Sequence, residues 1–180
     1  AELERDTYSA TTPKEIAQKK AKEAAAARAR MGISASVNMD LSLVGPGSGA
    51  VRWPLAKITR VGDGFRSRGG AHHGVDLISP CRTPIFAMSD GVVRVSQESY
   101  YGYGVAITID HVLDGRKVTS LYSHLTNGTR AVKVGQHVKA GQVIGLVGQT
   151  GRAFGCHLHY ELKIGGSLVD PMAFLRTNAG

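Results

Sequence analysis

Gly155-Cys156-His157-Leu158-His159-Tyr160-Glu161-Leu162-Lys163-Ile164 is the stretch that decides the fold. Along an extended chain, successive side chains point to opposite faces. Leu158, Tyr160, Leu162 and Ile164 therefore line an apolar face, while His157, His159 and Glu161 share the other. A strand of this kind lays one face on a core and presents two imidazoles side by side on the opposite face. That spacing suits a metal, or a metal and a substrate together. Glu161 reads equally as a partner orienting one imidazole or as a solvated, salt-bridged strand residue.

Working back from this strand, short apolar runs punctuated by glycine fill the chain from Val51 onward. The expected strands are 51–55, 58–61, 75–78, 85–87, 91–96, 105–110, 118–124, 142–147 and 157–164. Turns are expected at Gly62-Asp63-Gly64, Ser89-Asp90-Gly91, Asp114-Gly115, Asn127-Gly128, Lys139-Ala140-Gly141 and Gly165-Gly166. Short strands at this spacing, with 23 glycines and no second helical pattern, point to a mainly β protein. The expected fold is an antiparallel β-sheet or sandwich.

Before Val51 the texture is different. Thr12-Pro13-Lys14-Glu15 is a helix start, with Thr12 as the N-cap and Pro13 at the first helical position. The Ala-, Lys-, Glu- and Arg-rich run through Met31 continues that helix, and Gly32 stops it. Its apolar side is mostly alanine, so it reads as a solvated spacer or the end of a stalk rather than as core. Residues 33–50, ending in Gly45-Pro46-Gly47-Ser48-Gly49, read as a flexible linker. The expected organisation is a polar segment and helix over 1–32, a linker over 33–50 and a domain over 51–180.

The formal net charge of +8 favours an anionic partner. The aromatic fraction is only 6%, and no basic–aromatic signature of a nucleic-acid motif is present, so nucleic acid is set aside in favour of an anionic envelope polymer. No apolar run approaches the ~18 residues that span a bilayer, and no charged-then-apolar leader opens the chain. The first residue is Ala1, which fits a mature or trimmed fragment and leaves export open. Oligomeric state is not legible. Cys81 and Cys156 match neither a redox motif nor a zinc framework, which leaves a disulfide or two buried thiols.

Seven histidines are present. His111 and His137, in an apparent loop and a turn-like segment, read as structural or exposed. His72-His73-Gly74-Val75-Asp76 differs, because Asp76 opens an apolar strand four residues after His72. A histidine, an aspartate and one member of the later pair supply three zinc ligands and leave a fourth position for water, the arrangement of a catalytic zinc site. No His-Glu-x-x-His helix is present, so the proton must be handled by another group, such as a histidine.

His72-x-x-x-Asp76, Tyr122-Ser123-His124-Leu125 and Gly155-x-His157-Leu158-His159-Tyr160-Glu161 occur in the order seen in lysostaphin-type (LytM-like) zinc endopeptidases. The glycine run from Val134-Gly135-Gln136 to Gly148-Gln149-Thr150-Gly151 resembles the same family, and the likeness covers about residues 51–176. Cys156 and Tyr160 depart from the commoner residues at those positions, and neither is a ligand. The resemblance implies an antiparallel β fold with a groove over one zinc ion, held by His72, Asp76 and His159. It implies that His124 and His157 flank the open position, without saying which of them is the base. It further implies hydrolysis of peptide bonds in peptidoglycan cross-links or cross-bridges by a secreted or cell-envelope protein. Cys81 and Cys156 would flank the same site, where oxidising conditions favour a disulfide. A wall-binding module without catalysis is the competing reading, and missing ligands would mark it.

Overall fold

The structure, a computed structural model, describes residues 51–180 together with Gln18 and Lys22, both helical. The rest of the expected N-terminal helix and all of the expected linker lie outside the described residues.

Ten strands and one helix follow in the order β1 (Arg60–Val61), β2 (Val75–Ile78), β3 (Pro84–Phe86), β4 (Gly91–Gln97), β5 (Val105–Leu113), β6 (Arg116–Leu125), β7 (His137–Val138), β8 (Val143–Leu146), β9 (His157–Ile164), β10 (Ser167–Val169) and α1 (Pro171–Asn178). The main sheet runs β1-β2-β9-β6-β5-β4-β7 and is antiparallel throughout. β2 and β10 share one edge of β9: β2 pairs with His157–Tyr160, and β10 with Leu162–Ile164. β3 and β8 form a separate two-stranded ribbon. Ile85, Ala87 and Ile144 from the ribbon and its flank join Leu77, Tyr122, Leu158, Tyr160 and Leu162 from the sheet in one core cluster. Full burial of each large aliphatic side chain there contributes roughly 1.5–3 kcal/mol.

The expected mainly β, antiparallel architecture is the one observed, and β2 and β9 keep their expected bounds. Asp114 (φ 48°) and Gly115 (φ 69°) join β5 to β6, and Gly165 (φ 57°) and Gly166 (φ 87°) join β9 to β10, as two-residue turns with both residues left-handed.

Four expectations are corrected. Residues 51–55 form no strand: Val51 makes a single bridge to Ala179, and Pro54 lacks the N–H that a ladder needs. β1 is only the end of the expected 58–61 strand. A helix does close the domain, since Asp170 caps it by accepting from the Met172 and Ala173 amides and Pro171 occupies its first turn. His111 lies inside β5 rather than in a loop, and it is buried.

Candidate active site

Register brings the site together. Asp76 on β2 lies directly opposite His159 on β9, and Ser123 on β6 faces His159 from the other side. Tyr160 and Tyr122 are paired and fully buried, so the opposite face of β9 carries His157, His159 and Glu161 into a groove of about 720 Å³.

Three atoms converge there. His159 Nδ1 lies 2.8 Å from Asp76 Oδ1, and His72 Nε2 lies 3.1 Å from each of them. His72 Nδ1 bonds the Gly64 carbonyl at 2.8 Å, and His159 Nε2 bonds Glu161 Oε1 at 3.0 Å. Because those outer partners are oxygen acceptors, each outer nitrogen carries the proton. The inner nitrogens are left as lone pairs facing a carboxylate oxygen. Three such acceptors, all in buried residues, repel one another unless a cation lies between them. Ligands at 2.0–2.2 Å from a tetrahedral zinc stand roughly 3.3–3.6 Å apart, so a slight expansion accommodates the ion. The donor set therefore fits a metal.

The electrostatics agree. Without an ion between them a proton takes its place: burial works against ionised Asp76, yet a protonated His159 donating to it outweighs burial and holds the carboxyl below its ordinary value. Burial likewise opposes a charged His159, but Asp76 and Glu161 together raise its pKa. The pocket is thus built around positive charge. Arg68 reaches Asp76 Oδ2 at 3.6 Å, on the side of the carboxylate away from His72 and His159.

His124 reaches the site through an irregularity. Val105 pairs with Leu125 and Ile107 with Tyr122, so two residues of β6 oppose one of β5, a β-bulge. His124 sits in it with φ 61°, a left-handed conformation that costs about 1–3 kcal/mol at a non-glycine residue. Regular alternation would leave its side chain on the core face beside Tyr122. Instead its ring lies 4.9 Å from that of His157 and 5.8 Å from that of His159. Nδ1–H donates to the Thr150 carbonyl at 2.7 Å, which leaves Nε2 unprotonated. Burial pushes the His124 imidazole down to about 4 despite that bond. His157 is held the same way, with Nδ1 on the Gly155 carbonyl at 2.9 Å and Nε2 at 3.6 Å from Asp76 Oδ1.

All five residues singled out in the sequence line this one groove, and the exposed His73 lines it too without a hydrogen bond to the cluster. Cys81 and Cys156 form a disulfide with Cα atoms 5.2 Å apart, closing off the two-thiol reading. Three contributors escaped sequence reasoning. Tyr103 donates to Glu161 Oε1 at 2.8 Å, Thr150 bonds His124, and the Gly64 carbonyl sets the His72 tautomer. Two act through backbone oxygens, which carry no residue signature, and Tyr103 lies in a short 3-10 turn without periodicity.

Residues 70–171 match the family model described as peptidase family M23. The chain belongs to peptidase family M23. It is 41% identical over 102 residues to the DD-carboxypeptidase/endopeptidase Mpg of Neisseria meningitidis, covering 57% of this chain and 22% of that protein. This M23 chain thus spans about a fifth of that relative's length. Among solved structures, a zinc-containing peptidase from Vibrio cholerae superposes with a TM-score of 0.59 and 34% identity, over 69% of this chain and 39% of that one. Lysostaphin from Staphylococcus simulans gives 0.58 and 35%, over 66% and 49%. Among the described residues, no helix is long and apolar enough to cross a membrane.

Proposed function

We propose that this M23 domain, assigned to residues 51–180, is a zinc-dependent endopeptidase that cleaves peptide bonds in peptidoglycan cross-links or cross-bridges. The observation that carries the reading is the His72–Asp76–His159 cluster, with two further imidazoles beside it in an open groove. A non-catalytic wall-binding module would be marked by lost ligands, and all three positions are filled.

His72 Nε2, Asp76 Oδ1 and His159 Nδ1 would hold the ion. Zinc, when bound, supplies Lewis acidity that acidifies a water and polarises a carbonyl. His124, neutral and with Nε2 unprotonated, accepts the proton of the attacking water and hands it to the leaving amine nitrogen. His157, on the other side of the open position, is the second imidazole within reach of the reacting groups. Glu161, steadied by Tyr103, keeps His159 in the ligating tautomer. The substrate places the protein in the cell envelope or outside the cell, which agrees with its disulfide. Its basic surface suits anionic wall polymers.

Digestion of peptidoglycans with direct and with glycine-bridged cross-links, followed by mass analysis of the released peptides, tests this reading. Metal-dependent release of uncross-linked peptides is expected from at least one of them. Absence of any cleavage by protein loaded with stoichiometric zinc overturns it.

A further inference from the structure

The loop between β8 and β9 is pinned at both ends. Gly148 bridges His157, Cys156 is tied to Cys81, and Thr150 Oγ1 donates to the Leu125 carbonyl at 2.6 Å. Its middle presses on the loop before β5. A Cβ on Gly151 would stand 2.5 Å from the Gly102 carbonyl oxygen and the Gly104 nitrogen, and the Arg152 amide donates to that same carbonyl at 2.8 Å.

From this braced backbone the Arg152 side chain lies across Gly102, where an added Cβ would meet its Cδ at 3.2 Å and its Nε at 3.4 Å. Arg152 is exposed, and its planar guanidinium fork loses less freedom per hydrogen bond formed than a flexible ammonium would. It lines the groove, yet no carboxylate among the described residues pairs with it. Of the other two arginines that line the groove, Arg68 is taken up by Asp63 and Asp76, while Arg60 stands on the edge strand β1, likewise without a carboxylate partner among the described residues. Phe154, two residues further along, also lines the groove and is fully uncovered at 106% relative exposure. An exposed cation without a carboxylate partner, beside an uncovered aromatic ring on the same groove, describes the unfilled half of a binding surface.

We propose that Arg152 is a specificity-determining residue that receives a free carboxylate of the substrate peptide close to the scissile bond, with Phe154 covering an adjacent apolar part. This rests on the peptidase reading and narrows it to acidic cross-linked peptides over uncharged bridges. The guanidinium fork matches a carboxylate in two parallel bonds, which a carboxamide cannot reproduce.

The test uses two synthetic cross-linked peptide dimers, one carrying a free carboxylate on the residue next to the scissile amide and one its carboxamide twin. The zinc-loaded full chain should prefer the carboxylate dimer. Arg152→Ala should reduce that preference in kcat/KM by about tenfold, mainly through KM, and Arg152→Lys should restore part of it. Phe154→Ala should weaken both dimers alike. Zinc content and melting temperature should match the parent in each variant. An unchanged preference in Arg152→Ala, or equal losses on both dimers, overturns the proposal. If the parent cleaves neither dimer nor peptidoglycan, the peptidase reading fails and Arg152 is judged by dimer binding alone. A carboxylate preference in Kd that vanishes in Arg152→Ala supports it; equal Kd values for the two dimers in the parent overturn it.

Discussion

Gly74→Ala should cripple the site without touching a ligand. Gly74 lies between His72 and Asp76, immediately before β2, where that strand meets Tyr160 on β9. A Cβ there would fall inside the Tyr160 carbonyl oxygen and stand 2.9 Å from both Tyr160 C and Glu161 Cγ. Ordinary Cβ contacts begin at 3.4 Å, so β2 must retreat by at least about 0.5 Å, and further to clear the oxygen. That retreat acts on the 2.8 Å approach of Asp76 to His159 and on the Glu161 carboxylate that holds His159. A site of this kind tolerates about 0.5 Å of misplacement, and about 1 Å costs on the order of 10² in rate. Overpacking should also destabilise the fold by ~1–3 kcal/mol. Zinc affinity by chelator competition, melting temperature and single-turnover rate on peptidoglycan read the three effects. Gly180→Ala is the control, because a Cβ there meets nothing within 4 Å. A Gly74→Ala protein with zinc affinity and rate within threefold of the parent would refute the reasoning.

His124→Ala should keep its zinc while losing ~10²–10⁴ in turnover; a near-parental rate would remove His124 from the chemistry. Replacing Cys81 and Cys156 together by serine frees a 75-residue loop in the unfolded chain and should lower stability by about 4 kcal/mol, and an unchanged denaturant midpoint would contradict this. His111 gives a pH prediction away from the ligands. Burial holds its imidazole below the ordinary value, against the pull of the Asp90 carbonyl and of the Asp110 and Asp90 charges. Both states are neutral well above pH ~6.5. As pH falls through that value the unfolded chain takes the proton first, so stability declines, by up to ~1.4 kcal/mol per pH unit, until the lower folded pKa is reached. Urea unfolding in chelator at pH 7.5 and 5.5 should therefore show a larger acid loss for the parent than for His111→Gln, and equal losses would sink the argument.

The sequence by itself determined the parts whose cause is local. Two-residue alternation in 157–164 is enough to put His157, His159 and Glu161 on one face and the core on the other, because strand geometry leaves no other option. Asp114-Gly115 and Gly165-Gly166 specify their turns through left-handed backbone conformations that suit glycine and aspartate. The Asp170-Pro171 helix start was equally local, but the helix it opens spans only eight residues, too short for a periodic pattern to stand out.

What joins elements distant in the chain was decided by tertiary structure. The pairing of Asp76 with His159 is a register between β2 and β9, and register depends on which partner strand is alongside. His124 shows the limit most sharply. Alternation from buried Tyr122 would send it into the core, and only the bulge against β5, with φ 61°, turns it to the groove. Strands β7 and β10 are two and three residues long and exist because a neighbouring edge offers them a ladder. Alternation leaves Glu161 either an orienting partner or a solvated residue, and Tyr103, 58 residues away, together with His159 on the same carboxylate oxygen, decides for the first. Local pattern alone offered His72, Asp76 and the His157/His159 pair as candidates, and the family resemblance added His124 and the choice of His159, whereas their distances, tautomers and burial come from contacts between residues far apart in sequence, which no local window contains.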